Sequence, residues 1–370
     1  MAKLDDDPAK TAAVRKRLLG WYAQNRRELP WRRNRDPYAV WVSEIMLQQT
    51  RTAVVAERYP AFMERFPTLV ALALAREQEV LALWSGLGYY ARARMLHKAA
   101  QFVSSHLGGN LPVSAEELRA LPGIGAYTAA AVASIAHGEP VAVVDGNVER
   151  VLCRLARWDR GSRNGGGAAL RRKIENLARR LLDPARPGDF NQAMMELGAT
   201  VCTPRSPQCG ECPLNEDCKT RGEHKTARRA PMMSRAVAYA LSVRMSPAGG
   251  KHHGPNSREV LLEQRPASAT VMPGMWELPM LLDADVPAEE LRLTVRHAIM
   301  RVNYYVRIRT VFEDDAETMT AKSGERRWVP LGVAEEMALT GLARKVLARA
   351  HLLAPAPVEL LASPRSKTVG

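Results

Sequence analysis

The chain has 370 residues, 46% of them hydrophobic and 25% charged, with a formal net charge of +14. That length allows two domains, the composition excludes a chain disordered throughout, and the positive charge favours a polyanionic partner such as nucleic acid without requiring one. No apolar run is long enough to span a bilayer, and Met-Ala-Lys-Leu-Asp-Asp-Asp at the start has no signal-peptide apolar core. A membrane is therefore excluded as a partner, and a cytoplasmic location is expected, with the nucleoid if the source is bacterial.

Val14, Leu18, Leu19 and Tyr22 give residues 11–27 a helical period, which Leu29-Pro30-Trp31-Arg32 ends. Asp36-Pro37-Tyr38 opens a second helix, with Asp36 placed to cap it and Pro37 just inside its first turn. On that helix Glu44 shares a face with Trp41, Gln48 and Arg51, while Val42, Ile45, Met46 and Leu47 around it are apolar. A lone helical glutamate is ordinarily a solvated surface charge. These apolar neighbours instead predict a helix buried over much of its circumference, and a carboxyl whose pKa burial lifts towards neutrality, as a general acid requires.

Leu83-Trp-Ser-Gly-Leu87-Gly-Tyr89-Tyr-Ala-Arg92-Ala-Arg94 joins two helical patterns through a glycine hairpin. As structure this is a helix connection whose tyrosines close the core. A leucine or tyrosine at the tip of such a turn can also wedge between stacked bases and help to expel a nucleotide, with Arg92, Arg94 and His97 behind it as phosphate contacts.

A second Gly-x-Gly follows in Leu121-Pro-Gly123-Ile-Gly125, between helical patterns over 114–120 and 126–136. It predicts a tight turn whose amides face outward at a helix N-terminus, a grip for phosphate or simply a helix-turn-helix joint. The apolar run Pro140–Val144 then delivers Asp145-Gly146-Asn147 to a helical pattern of Val148, Val151, Leu152 and Leu155, which makes Asp145 an N-cap.

Residues 160–168 read as a flexible glycine-rich loop, helical patterns resume through Leu182, and Asn191–Cys202 leads into the cysteines. Cys202-x6-Cys209-x2-Cys212-x5-Cys218 places four of the five cysteines in seventeen residues, which argues against a disulfide scaffold and for a metal centre, zinc or iron-sulfur. Cys153 is most simply a small core residue. Residues 219–235 carry six basic groups against one acid and read as a basic linker. Alternation in 237–245, 259–265 and 302–312 predicts strands, with helical patterns at Ala288–His297 and Ala334–Leu347, and the proline-rich end reads as a disordered tail. The expected domains are thus 1–218 (helical, with the cysteine loop at 202–218), a linker at 219–235, an α+β domain at 236–352 and a tail at 353–370.

Leu121-Pro-Gly-Ile-Gly followed by Val144-Asp-Gly-Asn-Val148 resembles the helix-hairpin-helix DNA glycosylases. The strings around Glu44 and Leu87 and the cysteine spacing are similar to the adenine DNA glycosylase (MutY-type) branch, a resemblance covering roughly residues 10 to 350. It implies an all-α helix-hairpin-helix glycosylase domain with a 4Fe-4S cluster on Cys202, Cys209, Cys212 and Cys218, followed by a Nudix-like α+β domain. The implied reaction is hydrolysis of the N-glycosidic bond of a flipped adenine mispaired with 8-oxoguanine or guanine in double-stranded DNA, by a monomer.

In that resemblance Glu44 protonates the base, Asp145 stabilises the positive sugar, and Asn147 stands with them. Tyr127 fills the slot that a lysine holds in lyase-competent relatives; a phenol forms no Schiff base, so water is the nucleophile and the enzyme is monofunctional. Gln48, Gln49 and Thr50 probe the base pair, Leu87 and Tyr89 sit at the DNA, Gly123 and Gly125 hold its backbone, Gln192 meets adenine, and Arg32 is a further DNA contact.

Leu261-Leu-Glu-Gln-Arg-Pro with Met272-Pro-Gly-Met-Trp276-Glu-Leu-Pro279 is the part similar to the Nudix-like domain, without the glutamate-rich box that nucleotide hydrolysis needs. The serine and histidine of the lesion-reading turn are missing from His297–Tyr304, where Arg301 is the candidate to compensate. The alternatives are a thymine or uracil mismatch glycosylase of the same superfamily, and a non-catalytic iron-sulfur DNA-binding regulator.

Overall fold

Residues 7–159, 166–222, 231–246, 258–299, 301–321 and 324–354 are described by the computed structural model. The glycine-rich loop at 160–165, the linker core at 223–230, Met300 and the tail at 355–370 lie outside them. Among the described residues eleven α-helices come first: α1 (Pro8–Asn25), α2 (Pro37–Leu47), α3 (Thr52–Arg65), α4 (Leu69–Leu74), α5 (Glu77–Leu83), α6 (Ala91–His106), α7 (Ala115–Arg119), α8 (Ala126–Ala136), α9 (Gly146–Ala156), α10 (Gly166–Leu181) and α11 (Pro187–Thr200).

Their starts follow local chemistry. Asp36 accepts the Tyr38 amide at 3.1 Å ahead of Pro37 in α2, Ser114 and Glu117 close a capping box on α7, and Asp145 accepts the Asn147 and Val148 amides at 2.9 and 2.7 Å at the head of α9.

By its contacts the chain divides into two compact units, residues 1–49, 63–74 and 95–229, and residues 50–62, 75–94 and 230–370. The first unit is built around two helices that are apolar nearly all round: Tyr38 to Met46 of α2 and Thr128 to Ile135 of α8 are buried without interruption. The alanines of α8 let α2 pack closely along it. A second core joins α1, α9, α10 and α11 through Leu18, Tyr22, Leu152, Leu181 and Leu197, and Cys202, Cys212 and Cys218 pack against its edge. Gly198 of α11 is obligatory here, because a Cβ on it would lie 2.6 Å from the Asn147 Cβ of α9.

The second unit carries seven strands among the described residues: β1 (Met233–Leu241), β2 (Val243–Met245), β3 (Arg258–Gln264), β4 (Trp276–Glu277), β5 (Leu291–Ile299), β6 (Val302–Thr310) and β7 (Arg326–Pro330). They form a three-stranded sheet ordered β1-β6-β5, in which β1 runs parallel to β6, and an antiparallel sheet in which β2, β4 and β7 all pair with β3. Helices α12 (Glu313–Met319), α13 (Leu331–Glu336) and α14 (Gly341–Arg349) complete it. Its core contains Leu262, Trp276, Val306, Ile308, Val346 and Leu347.

Several expectations change. The segment Ala288–His297, read as helical, is a short 3-10 turn followed by β5: Leu291, Leu293 and Val295 alternate inward against exposed Arg292 and Thr294, a period of two that helix-forming Ala288-Glu-Glu disguised. The helix expected over Ala334–Leu347 is broken at 337–340 into α13 and α14, and Thr340 caps the second. The basic linker ends early, since β1 begins at Met233. Residues 50–62 and 75–94, expected in the helical domain, pack with the strands, held by Tyr90 Oη donating to Leu339 O at 3.4 Å and Arg344 Nε donating to Ser85 Oγ at 2.8 Å. Among the described residues no helix is long and apolar enough to cross a membrane.

Candidate active site and iron-sulfur loop

The packing of α2 on α8 brings Glu44 to Tyr127. The phenol donates to Glu44 Oε2 at 2.6 Å and reaches Met195 Sδ of α11 at 3.5 Å. Glu44 is 5% exposed. Burial pushes its carboxyl up to about 7; the phenol and Arg32 oppose that rise, and the Asp145 charge adds to it. Its protonated form is thus available near neutral pH, as an acid that must donate to a bound group requires. Burial, followed by the Glu44 charge, holds the Tyr127 hydroxyl well above its ordinary range, so the phenol stays a neutral donor.

Asp145 presents its carboxylate at the head of α9. Burial raises its pKa, while the Val148 and Asn147 amides and the Asn147 side-chain amide work against that rise. Asn147 Nδ2 donates to Asp145 Oδ2 at 2.8 Å, and Asn147 Oδ1 accepts from Arg150 Nη2 at 2.9 Å, so the carboxylate has one fixed orientation. Tyr127 and Asp145 line a cleft of about 700 Å³, together with Arg119, Gly146, Glu149 and Arg171. Glu44 stands one hydrogen bond behind Tyr127 of this lining, so a desolvated acid behind the wall and an oriented anion on it are groups that can protonate a leaving group and offset positive charge growing where it departs.

The turn at Leu121–Gly125 forms as expected. Gly123 has φ +74°, and a Cβ there would strike Met95 at 2.7 Å. Gly125 is the N-cap of α8 and a Cβ on it would meet nothing, so its open face lies at the free amides of the helix start. Gln48 Nε2 donates to Thr128 Oγ1 at 3.1 Å, and Gln49 is exposed in the left-handed region at φ +57°. Gln192 is half-buried on α11.

Arg32 differs from its expected role. Its Nη2 donates to Glu196 Oε2 at 2.9 Å, its Nη1 to Arg27 O at 3.1 Å, and its guanidinium lies over the Tyr22 ring, which leaves it committed inside the protein.

In the second unit the Leu83–Arg94 hairpin leaves Tyr89 half exposed at φ +48°, while Leu87 is buried. Arg92 is an internal brace: Nη2 donates to Thr50 Oγ1, Leu87 O and Gly88 O, each at 3.0 Å, and the guanidinium lies over Trp84 and Tyr89, where burial lowers its pKa to about 10. Arg94 bonds Glu77 and Pro273 O, and His97 is buried. These three side chains were expected at phosphate; instead Arg92 braces the hairpin, Arg94 is bonded away from it and His97 lies buried. Arg301 is exposed in the β5–β6 turn, and its carbonyl accepts the Met233 amide at 2.9 Å.

The four cysteines of the loop are partly buried free thiols. Burial, then the charges of Cys202, Cys218 and Cys209, pushes Cys212 up to about 11, which puts the other three sulfurs within electrostatic reach of Cys212. Among the described residues no three His, Cys, Asp or Glu side chains converge as a single-ion site would need. Arg154 Nη1 donates to Cys202 Sγ at 3.3 Å, a cationic donor suited to a thiolate cluster. Four soft donors, one apolar flank and one guanidinium fit an iron-sulfur centre.

Glu196, Arg27, Arg150 and Arg154 escaped the sequence reading. Only the fold shows Arg27 bonded to the buried Glu196, and Arg150 and Arg154 bonded to the cysteine loop.

Residues 42–180 match the family described as helix-hairpin-helix (HhH-GPD) superfamily base excision DNA repair protein, and residues 202–218 match the iron-sulfur binding domain of endonuclease III. The chain is 50% identical over 224 residues to the adenine DNA glycosylase of Homo sapiens, covering 58% of this chain and 40% of the relative. To that of Mycolicibacterium smegmatis it is 44% identical over 205 residues, covering 55% of this chain and 68% of the relative. The chain therefore spans about two-fifths of the length of the human protein it matches. A solved thermostable thymine-DNA glycosylase superposes with a TM-score of 0.50 at 28% identity, covering 57% of this chain and 96% of the other.

Proposed function

The chain belongs to the adenine DNA glycosylase family of helix-hairpin-helix base excision repair proteins, with a 4Fe-4S domain, and from that premise we propose that it hydrolyses the N-glycosidic bond of adenine mispaired with 8-oxoguanine or guanine in double-stranded DNA. The observation that carries this reading is the Tyr127–Glu44 hydrogen bond beside Asp145.

In it, Glu44 donates its proton to the flipped adenine, whose departure as a neutral base becomes easier. Asp145, held by Asn147 and the α9 amides, offsets the charge developing on the sugar more strongly in the transition state than in the ground state. Water completes the hydrolysis, since Tyr127 offers no amine. Gly123, Gly125 and the start of α8 take DNA phosphate. Gln48, Gln49, Thr50 and Tyr89 meet the base pair, Leu87 packs behind the hairpin, and Gln192 meets the adenine. Cys202, Cys209, Cys212 and Cys218 hold the cluster, which when bound cross-links the loop against α9. The strand-bearing region acts as a Nudix-like lesion reader with Arg301 in its β5–β6 turn.

A second reading, removal of thymine from a mispair, draws on the likeness to the thymine-DNA glycosylase structure. Incubation with duplexes carrying A opposite 8-oxoguanine, G, C or T, and T opposite G, separates the two. Free adenine from the first two duplexes supports the adenine reading; free thymine from T opposite G, with adenine retained, overturns it.

A further inference from the structure

Glu196 is the most heavily bonded carboxylate in the helical unit's interior among the described residues, yet it has no part in the chemistry proposed above. Its side chain is 1% exposed on α11. Arg27 donates to it from Nε at 2.7 Å, from Nη2 at 2.9 Å and from its backbone amide at 3.1 Å, and Arg32 Nη2 adds a fourth bond at 2.9 Å. Arg32 also donates to Arg27 O at 3.1 Å, so the two guanidinium groups and one carboxylate form a closed knot. Arg27 keeps its contact with solvent, with 39% of its side chain exposed, whereas Arg32 and Glu196 form the buried pair, at 13% and 1%.

Arg32 also faces the candidate site. Glu44 on α2 is faced by Tyr127 from α8, Asp145 from the head of α9 and Arg32 from the turn after α1. Met195, beside Glu196, receives the Tyr127 hydroxyl, and Gln192 lies one turn earlier on the same face of α11. Arg32 is thus shared between Glu196, which it bonds at 2.9 Å, and Glu44, whose charged form it favours. Without Glu196, the Arg32 charge would act on Glu44 uncompensated.

We propose that Glu196 is a positioning residue of the base pocket, which clamps Arg27 and Arg32 in place and cancels enough of their charge for Glu44 to keep its proton. It touches neither base nor sugar; it acts through Arg32. The inference rests on the reading of Glu44 as general acid.

The test is the pH profile of single-turnover adenine release, with the full-length cluster-loaded protein in excess over an A:8-oxoguanine duplex so that DNA affinity does not enter. The wild-type rate falls on the alkaline side as Glu44 loses its proton. Glu196→Gln exposes Arg32, which favours the Glu44 carboxylate, and moves that fall to lower pH by on the order of one unit. Arg32→Gln moves it to higher pH. With Arg32 gone Glu196 has no cation through which to act on Glu44, so the double variant keeps the position of Arg32→Gln.

A merely structural role predicts lower rates at every pH with the fall unmoved, and that result in folded variants overturns the proposal. If Glu196→Gln does not fold, Arg32→Gln alone decides, and an unmoved or lowered fall overturns it. Glu44→Gln is the control: full activity in that variant means that the general-acid reading has failed, whereas a dead Glu44→Gln beside an unmoved Glu196→Gln profile means that only the present inference has.

Discussion

Gly198 of α11 and Asn147 of α9 approach so closely that a single added methyl would sit 2.6 Å from the Asn147 Cβ and 3.1 Å from its backbone. The contact matters because Asn147 is the residue that orients Asp145, through Nδ2 to Oδ2 at 2.8 Å. Gly198→Ala is therefore expected to destabilise the fold by about 1 to 3 kcal/mol, because the obstacle includes backbone that cannot rotate away. Turnover should fall further than that loss explains as Asn147 is displaced. Thermal melts and single-turnover rates check both, and a Gly198→Ala protein with wild-type rates would remove Asn147 from the site.

Gly125 gives the contrasting case. A Cβ there meets nothing and its φ is −85°, so Gly125→Ala should fold and melt like the wild type. If DNA phosphate lies against the start of α8, the methyl intrudes on that approach and duplex affinity drops by on the order of tenfold. Titration of a fluorescent duplex measures it; unchanged affinity would place the DNA backbone elsewhere.

The buried acid at Glu44 links pH to stability with a definite sign. Its pKa is raised from 4.5 in the exposed state to about 7 in the fold, so the folded protein bears no penalty below about 4.5, loses stability as pH rises through that window, and carries the full cost above 7. Glu44→Gln removes the titration, and should melt higher than the wild type at pH 8 by up to roughly 3 kcal/mol while showing little advantage at pH 5. A stability difference independent of pH would mean that Glu44 is not desolvated.

Purified protein is expected to be brown and to contain about four irons per chain, held by the four loop thiols. Since Arg150 Nε donates to Cys202 O at 2.8 Å while its Nη2 holds Asn147, losing the cluster should loosen the helix that carries Asp145 as well as the loop. Elemental analysis giving one zinc and no iron contradicts the assignment.

Much of this was legible in the chain. The caps at Asp36 and Asp145, the Gly123 turn and the buried α2 follow from residues within one or two turns of each other, where local hydrogen bonding decides the outcome. The cysteine loop was legible because its donors are neighbours in sequence. What stayed hidden was long-range: Glu196 meets Arg27 across 169 residues, and Arg344 reaches Ser85 across 259. Arg92, Arg94 and Arg32 misled because a guanidinium in a basic chain reads as a phosphate contact until its acceptors are seen. The strand β5 was missed because its helix-forming lead hid a short alternation.

Glu44 provides the sharpest test of the proposed chemistry. Wild-type and Glu44→Gln proteins are compared on one A:8-oxoguanine duplex, with duplex binding and adenine release measured in parallel. Binding retained within a few-fold, with release lost by several orders of magnitude, is the expected result. Adenine released at the wild-type rate by the Glu44→Gln protein, or none released by either, would contradict it.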